Sequence, residues 1–422
     1  MINTLEFAQQ CDQQNELAAF YHRFHHPIDL IYLDGNSLGK QPIAVKDIID
    51  EVVTEQWGER LIRSWNEHWL ELPQQIGNQI AQLLKVNASE INVGESTSVN
   101  LYKLAHALVR SGRFGNQLIT DSLNFPTDNY ILEGIQSQLN TEAVINIQYP
   151  SDLEADLEVL KENIVRNPGV LCLSLVSYKS SYRYPMKMLN DFAKEHQSII
   201  IWDLSHAVGA VDLDLKASNT LAAVGCTYKY LNGGPGAPAF LYIDQSLVSA
   251  LETPIQGWFG HSQPFDFSAD YVAAKGIAQF KAGTPQILSL ASLKAGLSIT
   301  LEANTKRLQA KSQQLCTYLL HLIETELIPL GFTLESPHSH DQRGSHLTLS
   351  HEESWRICQC LQHPKPNRPT IIVDFRPDRF LRIGITPLYT RFEDLWRTAE
   401  RLKEIVSTKE YVNHDGTKPV VT

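Results

Sequence analysis

Apolar residues near the start of the chain recur at helical spacing, and short apolar runs take over further on. Residues 5 to 21 read as an amphipathic helix, and Ile31 to Leu33 as a short strand entering a glycine turn. Pro42 opens a helix reaching about Trp57, with Ile48 and Val52 on one face. Another starts at Pro73, where Ile76, Ile80, Leu83 and Leu84 share one stripe. Strand-like runs then follow at 91–93, 117–120, 143–148, 170–177, 199–204, 221–227 and 239–243, with helical stretches such as 128–139 and 152–164 between them. A long helical region covers about 286–327. The pattern then changes to alternating strands at 345–350, 370–375 and 380–386, a final helix from Glu393 to about Val406, and a polar, loose tail after Ser407.

Nearly all-apolar strands joined by helices predict an α/β fold: a mostly parallel sheet sandwiched by helices, followed by a smaller α+β domain. The expected division is a large domain over 60–300 and a small one built from 1–59 with 301–422. The length of 422 residues suits that pairing better than three independent units.

Composition removes several classes. With 36 Lys+Arg against 47 Asp+Glu the net charge is −11, opposite to what phosphate neutralisation on nucleic acid needs. Six scattered cysteines make no disulfide framework. The first sixteen residues lack a secretory pattern, and no apolar run is long enough to span a membrane, so a cytoplasmic protein is expected. His22, His25 and His26 would share a helix face that could ligate a metal, but no carboxylate-rich partner stands beside them.

In open α/β sheets ligands bind at the carboxyl ends of the strands. Four such ends carry unusual residues. Ser96-Thr97-Ser98 opens a helix after Ile91–Val93, which suits a phosphate and also plain N-capping. Phe125-Pro126-Thr127-Asp128 offers a ring to stack on a flat heterocycle beside a carboxylate that otherwise only caps a helix. Asp203 closes a run of hydrophobic residues, where an unpaired carboxylate is costly. Lys229 lies among aromatics before a glycine-rich turn, a setting for a nucleophilic amine. Together the four ends suit pyridoxal 5′-phosphate (PLP): Lys229 as Schiff-base lysine, Asp203 on the pyridinium nitrogen, Ser96–Ser98 on the phosphate and Phe125 on the ring.

The chain also carries Asp34-Gly35-Asn36-Ser37-Leu38-Gly39, Arg63-Ser64-Trp65-Asn66, Asp203-Leu204-Ser205-His206-Ala207, Tyr228-Lys229-Tyr230-Leu231-Asn232, Gly257-Trp258-Phe259-Gly260-His261 and Arg382-Ile383-Gly384. Through these motifs, over roughly residues 28–400, it resembles the kynureninase family, in the aspartate-aminotransferase-like group (fold type I) of PLP enzymes. The resemblance implies that Asp128 and His206 also contact the cofactor ring system. Thr97, Ser98 and Tyr228 match phosphate contacts, and Ser174 a further cofactor contact. Trp258 and Thr284 match residues reaching the phosphate from a neighbouring subunit, so a homodimer with shared sites is implied. Arg382 matches the arginine that holds the substrate α-carboxylate, a planar fork-to-carboxylate task.

The implied reaction is hydrolytic Cβ–Cγ cleavage of L-kynurenine or 3-hydroxy-L-kynurenine to alanine and anthranilate or its 3-hydroxy form. Tryptophan degradation and NAD biosynthesis are the implied setting. Lys229, Asp203 and Tyr228 would carry the catalysis. One segment departs from the family pattern: Ser177-Tyr178-Lys179-Ser180-Ser181 lacks the usual Gly at its fifth position, and Pro185 follows, so a reshaped loop is expected. A competing reading in the same fold is a cysteine desulfurase-like lyase. Those enzymes usually place His, not Tyr228, before the lysine and a mobile Cys late in the chain.

Overall fold

The computed structural model describes residues 2–377 and 379–416. Its strands, in chain order, are β1 Leu30–Tyr32, β2 Ile91–Val93, β3 Gln117–Asp121, β4 Ile145–Ile147, β5 Gly169–Ser174, β6 Ile199–Asp203, β7 Ala222–Gly225, β8 Phe240–Ile243, β9 Thr333–Leu334, β10 His346–Ser350, β11 Thr370–Ile372, β12 Asp374–Arg376 and β13 Phe380–Gly384. Seven of them form a sheet in the order β2-β8-β7-β6-β5-β3-β4. Its pairs are parallel except those of β8, which runs against both β7 and β2.

Alternate residues of each strand feed two cores. Leu171, Leu173, Ile200, Trp202 and Tyr242 pack on one face, while Val170, Cys172, Ile199, Ile201 and Leu241 pack on the other. This two-sided burial is why the strands read as continuous apolar runs. Helices Leu72–Leu84 and Ile287–Ala303 cover the first face, and Thr97–Arg110 with Pro126–Leu139 the second. The smaller C-terminal part is the antiparallel sheet β12-β13-β10-β9, packed through Leu347, Leu349, Leu381 and Ile383. Helices Thr305–Leu322, Ser354–Gln362 and Phe392–Ser407 line that core. The N-terminal segment reaches it by pairing β1 with β11 in parallel.

Several boundaries differ from the sequence reading. The helix expected over 5–21 stops at Gln13, and a 3₁₀ segment, Ala18–Arg23, follows. Asn15 makes the break, its side chain accepting from the Leu17 N–H. The region 286–327 is interrupted at Asn304, where φ is +68° and the side chain caps the next helix through the Lys306 N–H. Helix 152–164 begins only at Leu157, because Asp156 is its cap. A helix the pattern did not flag, Met186–Glu195, follows Pro185. The tail after Ser407 is not loose at its start: Glu410 is buried and bonded to Arg401 through both carboxylate oxygens. The remainder of that tail, from 417, lies outside the described residues. His26 stacks on Tyr21 at 3.7 Å, its Nε2 faces the Tyr21 carbonyl and its Nδ1 faces Lys40 Nζ, so aromatic and hydrogen-bond contacts account for its ring.

The atypical loop keeps the conformation that glycine would favour. Ser181 is buried at φ +69°, its Oγ has no hydrogen-bond partner, and its carbonyl accepts from the Gly344 N–H. Left-handed geometry costs an L residue about 1–2 kcal/mol. Ser181→Gly is therefore expected to stabilise the fold by about 1 kcal/mol, read as a rise in the urea midpoint at constant slope. A lowered midpoint would contradict the strain.

Candidate active site

The carboxyl ends of β5, β6 and β7 bring the site together. Ser174 and Asp203 are direct partners in the β5–β6 ladder. Ser174 Oγ donates to Asn124 Oδ1 at 2.5 Å. Asp203 Oδ1 accepts from both the N–H and the hydroxyl of Ser205, at 2.9 and 2.6 Å. The short turn Asp203–His206 follows β6 directly, so Asp203 and His206 leave the sheet at one point. Beyond β7, the loop carrying Tyr228 and Lys229 places the lysine Nζ 3.3 Å from His206 Nε2. Asp128, in the first turn of Pro126–Leu139, is buried, and its Oδ2 has no hydrogen-bond partner.

Burial dominates the electrostatics. It raises the Asp128 carboxyl well above the usual range, with the nearby Asp203 charge acting in the same direction and Lys229 opposing. Asp203 is raised by the same desolvation, against the hydrogen bonds of Ser205 and the charge of Lys229. His206 is held well below its ordinary value by burial first and by Lys229 second, so its imidazole is neutral. The Tyr228 hydroxyl is raised by the neighbouring Cys226 sulfur and then by burial, which keeps it protonated as a donor. Two buried carboxylates facing one lysine are an environment short of positive charge.

Two close backbone contacts fix the lysine turn. A Cβ on Gly39 would lie 2.3 Å from the Lys229 carbonyl oxygen, and one on Gly296 would lie 2.1 Å from that of Leu231. Neither position tolerates a side chain, so the Asp34–Gly39 segment and helix Ile287–Ala303 press on the turn from their two contacts. Gly39 N–H also donates to the Tyr228 carbonyl at 2.8 Å.

Arg382, on β13, is almost completely buried. Its Nε donates to Asp374 Oδ2, which its NH2 group also faces; NH1 donates to the Tyr178 carbonyl at 2.5 Å and NH2 to Ser37 Oγ at 3.1 Å. The ring of Tyr178 meets Phe125 edge-on at 5.3 Å, which ties the atypical loop to both the arginine and the predicted stacking residue. Asp34 stands in the same network, its carboxyl raised to about 6 by burial and the Asp374 charge. Thr97 and Ser98 form the first turn of the helix after β2, capped by Ser96.

Trp258 and Thr284 make their contacts elsewhere. Trp258 packs with Phe259, Phe265 and Phe267, and Thr284 lines an apolar cavity of about 590 Å³ with Trp57, Trp65 and Trp69. Ser205, Asp374 and His346 escaped the sequence reading as site residues. Ser205 carried a signal, since a serine two positions after an aspartate commonly bonds back to it. Asp374 and His346 carried none, because only tertiary pairing brings them in.

The residues present fit PLP. A protonated pyridine nitrogen supplies the cation that the Asp203–Asp128 pair lacks, and the helix start at Thr97 offers N–H groups to a phosphate.

Comparison with known proteins agrees. Residues 31–354 match the aminotransferase class-V family model, and residues 308–402 match the kynureninase C-terminal domain. A kynureninase of Pseudomonas fluorescens is 36% identical over 405 residues, covering 95% of each chain. One from Burkholderia mallei (strain SAVP1) is 35% identical over 416 residues, covering 97% of each. Among solved structures, a cysteine desulfurase from Thermococcus onnurineus NA1 superposes with a TM-score of 0.76 at 17% identity, over 90% of this chain and 95% of that one. A C-DES mutant with glycine covalently linked to its PLP cofactor gives 0.78 at 16%, over 91% and 98%. At such identity the desulfurase likeness is one of fold, whereas the match to kynureninases runs through nearly the whole sequence. The chain belongs to the kynureninase family.

Proposed function

We propose that the Lys229 cluster performs the PLP-dependent hydrolytic cleavage of the Cβ–Cγ bond of L-kynurenine, releasing L-alanine and anthranilate. The enzyme is a kynureninase, a hydrolase acting on a carbon–carbon bond. The observation that carries the site assignment is the convergence of Lys229, His206, Asp203 and Asp128 from the carboxyl ends of β7, β6 and β3, with Arg382 facing them from β13. Incubating the cofactor-loaded protein with kynurenine should release fluorescent anthranilate, and with cysteine should release no sulfide. The reverse result would restore the desulfurase reading.

Bound PLP acts as an electron sink that lets the α-proton leave and weakens the β,γ bond. The chain does the rest. Lys229 Nζ would anchor the cofactor and, as a free amine in the substrate-bound enzyme, would take up the α-proton. Asp203, steadied by Ser205, keeps a proton on the ring nitrogen. Neutral His206 and the buried Asp128 would serve the ring substituents as hydrogen-bond groups, and Phe125 and Ser174 would complete the cofactor cradle. Thr97, Ser98 and the Tyr228 hydroxyl take the phosphate. Arg382 takes the α-carboxylate. Tyr228, protonated and next to Lys229, hands protons to the reacting atoms. Tyr228→Phe is expected to lower kcat by about 10²-fold, measured in single turnovers; unchanged kinetics would remove the hydroxyl from the reaction.

Trp258 and Thr284 act across a homodimer interface in this reading. Supporting it, large apolar side chains stand exposed around both residues: Phe267, stacked on Trp258, is 78% exposed, and Ile62, which lines the Thr284 cavity, 75%. Two inactive variants, Lys229→Ala and Trp258→Ala, should regain activity when mixed as hybrid dimers; failure of mixtures to recover would confine the site to one chain. The cofactor unit is assigned to 60–300, and the partner unit to 1–59 with 301–422. A cytoplasmic setting and a role in tryptophan breakdown follow from the same reading, and no described helix is long and apolar enough to cross a membrane.

A further inference from the structure

Leu347, Leu349, Leu381 and Ile383 point into the core of the four-stranded sheet, so the alternate positions His346, Thr348 and Arg382 occupy its other face. Two of these three are accounted for by the atypical loop. Thr348 Oγ1 donates to the Lys179 carbonyl at 2.6 Å, and Arg382 to that of Tyr178. His346 is different. It is wholly buried, and neither ring nitrogen has a hydrogen-bond partner. Its ring centre lies 6.0 Å from that of His206, whose Nε2 faces Lys229.

A buried imidazole with both nitrogens unsatisfied carries its full desolvation penalty, and an apolar residue there would be cheaper. Polarity kept against stability points to a ligand. The surroundings say which charge. Burial and the cations of Arg382, Lys229, Arg343 and Arg376 all act to keep His346 neutral, so one nitrogen carries hydrogen in a field that attracts an anion. Arg382 alone is a poor cradle for a carboxylate. Its Nε, NH1 and NH2 already donate to Asp374, Tyr178 and Ser37, so every nitrogen of the fork is engaged before a carboxylate arrives. Asn36, wholly buried with both amide atoms unpartnered, stands against Gly384, the residue paired with His346.

We propose that His346 is a further substrate-binding residue, whose ring N–H joins Arg382 in holding the α-carboxylate of the amino-acid substrate. The assignment rests on the kynureninase reading of the site. Arg382 is as deeply buried as His346, so burial separates neither from a ligand the arginine takes.

Two probes isolate the contact: L-alanine, which offers the carboxylate, and L-alaninamide, which lacks it. Each is titrated into cofactor-loaded protein and followed by the visible absorbance change. His346→Leu should weaken alanine binding about 10-fold or more while alaninamide stays within about twofold of wild type. His346→Gln, which keeps an N–H donor, should recover most of the loss. Unchanged alanine affinity in His346→Leu overturns the proposal, and so does an equal loss of both ligands, which marks a structural role. Should the leucine variant prove insoluble, His346→Met is read by the same pair. A wild type that responds to neither ligand overturns the site reading, and this proposal with it.

Discussion

Lys229→Ala is expected to lower kynurenine turnover by about 10⁴-fold, the largest effect of any single change in the chain. The side chain has two tasks that no neighbour can assume. Its amine would anchor the cofactor and, among the described residues, is the primary amine placed 3.3 Å from His206 Nε2, where the α-proton is to be taken up. Tyr228 adjoins it, but burial and the Cys226 sulfur keep that hydroxyl protonated and unable to serve as a base. The checks are anthranilate fluorescence under single-turnover conditions and loss of the covalently held cofactor band in the purified protein. Added methylamine should restore a small part of the rate, since the missing group is a diffusible amine in kind. A Lys229→Ala enzyme with near-normal turnover would sink the site assignment.

Arg382→Leu should affect two quantities at once. The substitution strips Asp374, almost fully buried, of its deepest cation, and breaking such a pair costs about 3–5 kcal/mol. The low end is expected here, because Arg376 Nε remains 2.8 Å from the same carboxylate oxygen. Substrate binding should suffer as well, since a charged hydrogen bond to the α-carboxylate is worth about 1.5–3 kcal/mol, or roughly 10- to 150-fold in KM. The two effects separate by a second substitution. Adding Asp374→Asn removes the orphaned charge, so the urea midpoint should recover while KM stays high. If KM recovers together with stability, the arginine is a structural residue and the carboxylate is held elsewhere.

The fold was legible where one physical rule acted alone. Strands buried on both faces leave continuous apolar runs, so the positions of β5, β6 and β7 were readable, and with them the strand ends that bear Ser174, Asp203 and Lys229. The antiparallel course of β8 was not, because an apolar run carries no direction. Helix ends shifted wherever a short polar side chain competed with the backbone, at Asn15, Asp156 and Asn304. Within the site, residues on one strand end were visible through their odd company. Asp374 and His346 were not, since each sits in an ordinary alternating strand and acquires its setting only when the four-stranded sheet is laid against the lysine turn.

Gly39 and Gly296 have no side chain to offer a ligand, yet each abuts backbone within the Lys229–Leu231 turn with no space for a methyl group. In a library of random substitutions scored by turnover, both positions would therefore behave like members of the active site. Loss at Gly39 or Gly296 would report a displaced amine rather than missing chemistry. A functional map of this enzyme would thus extend to a segment some 190 residues before the lysine and a helix well after it, the two walls of the mould in which Lys229 is set.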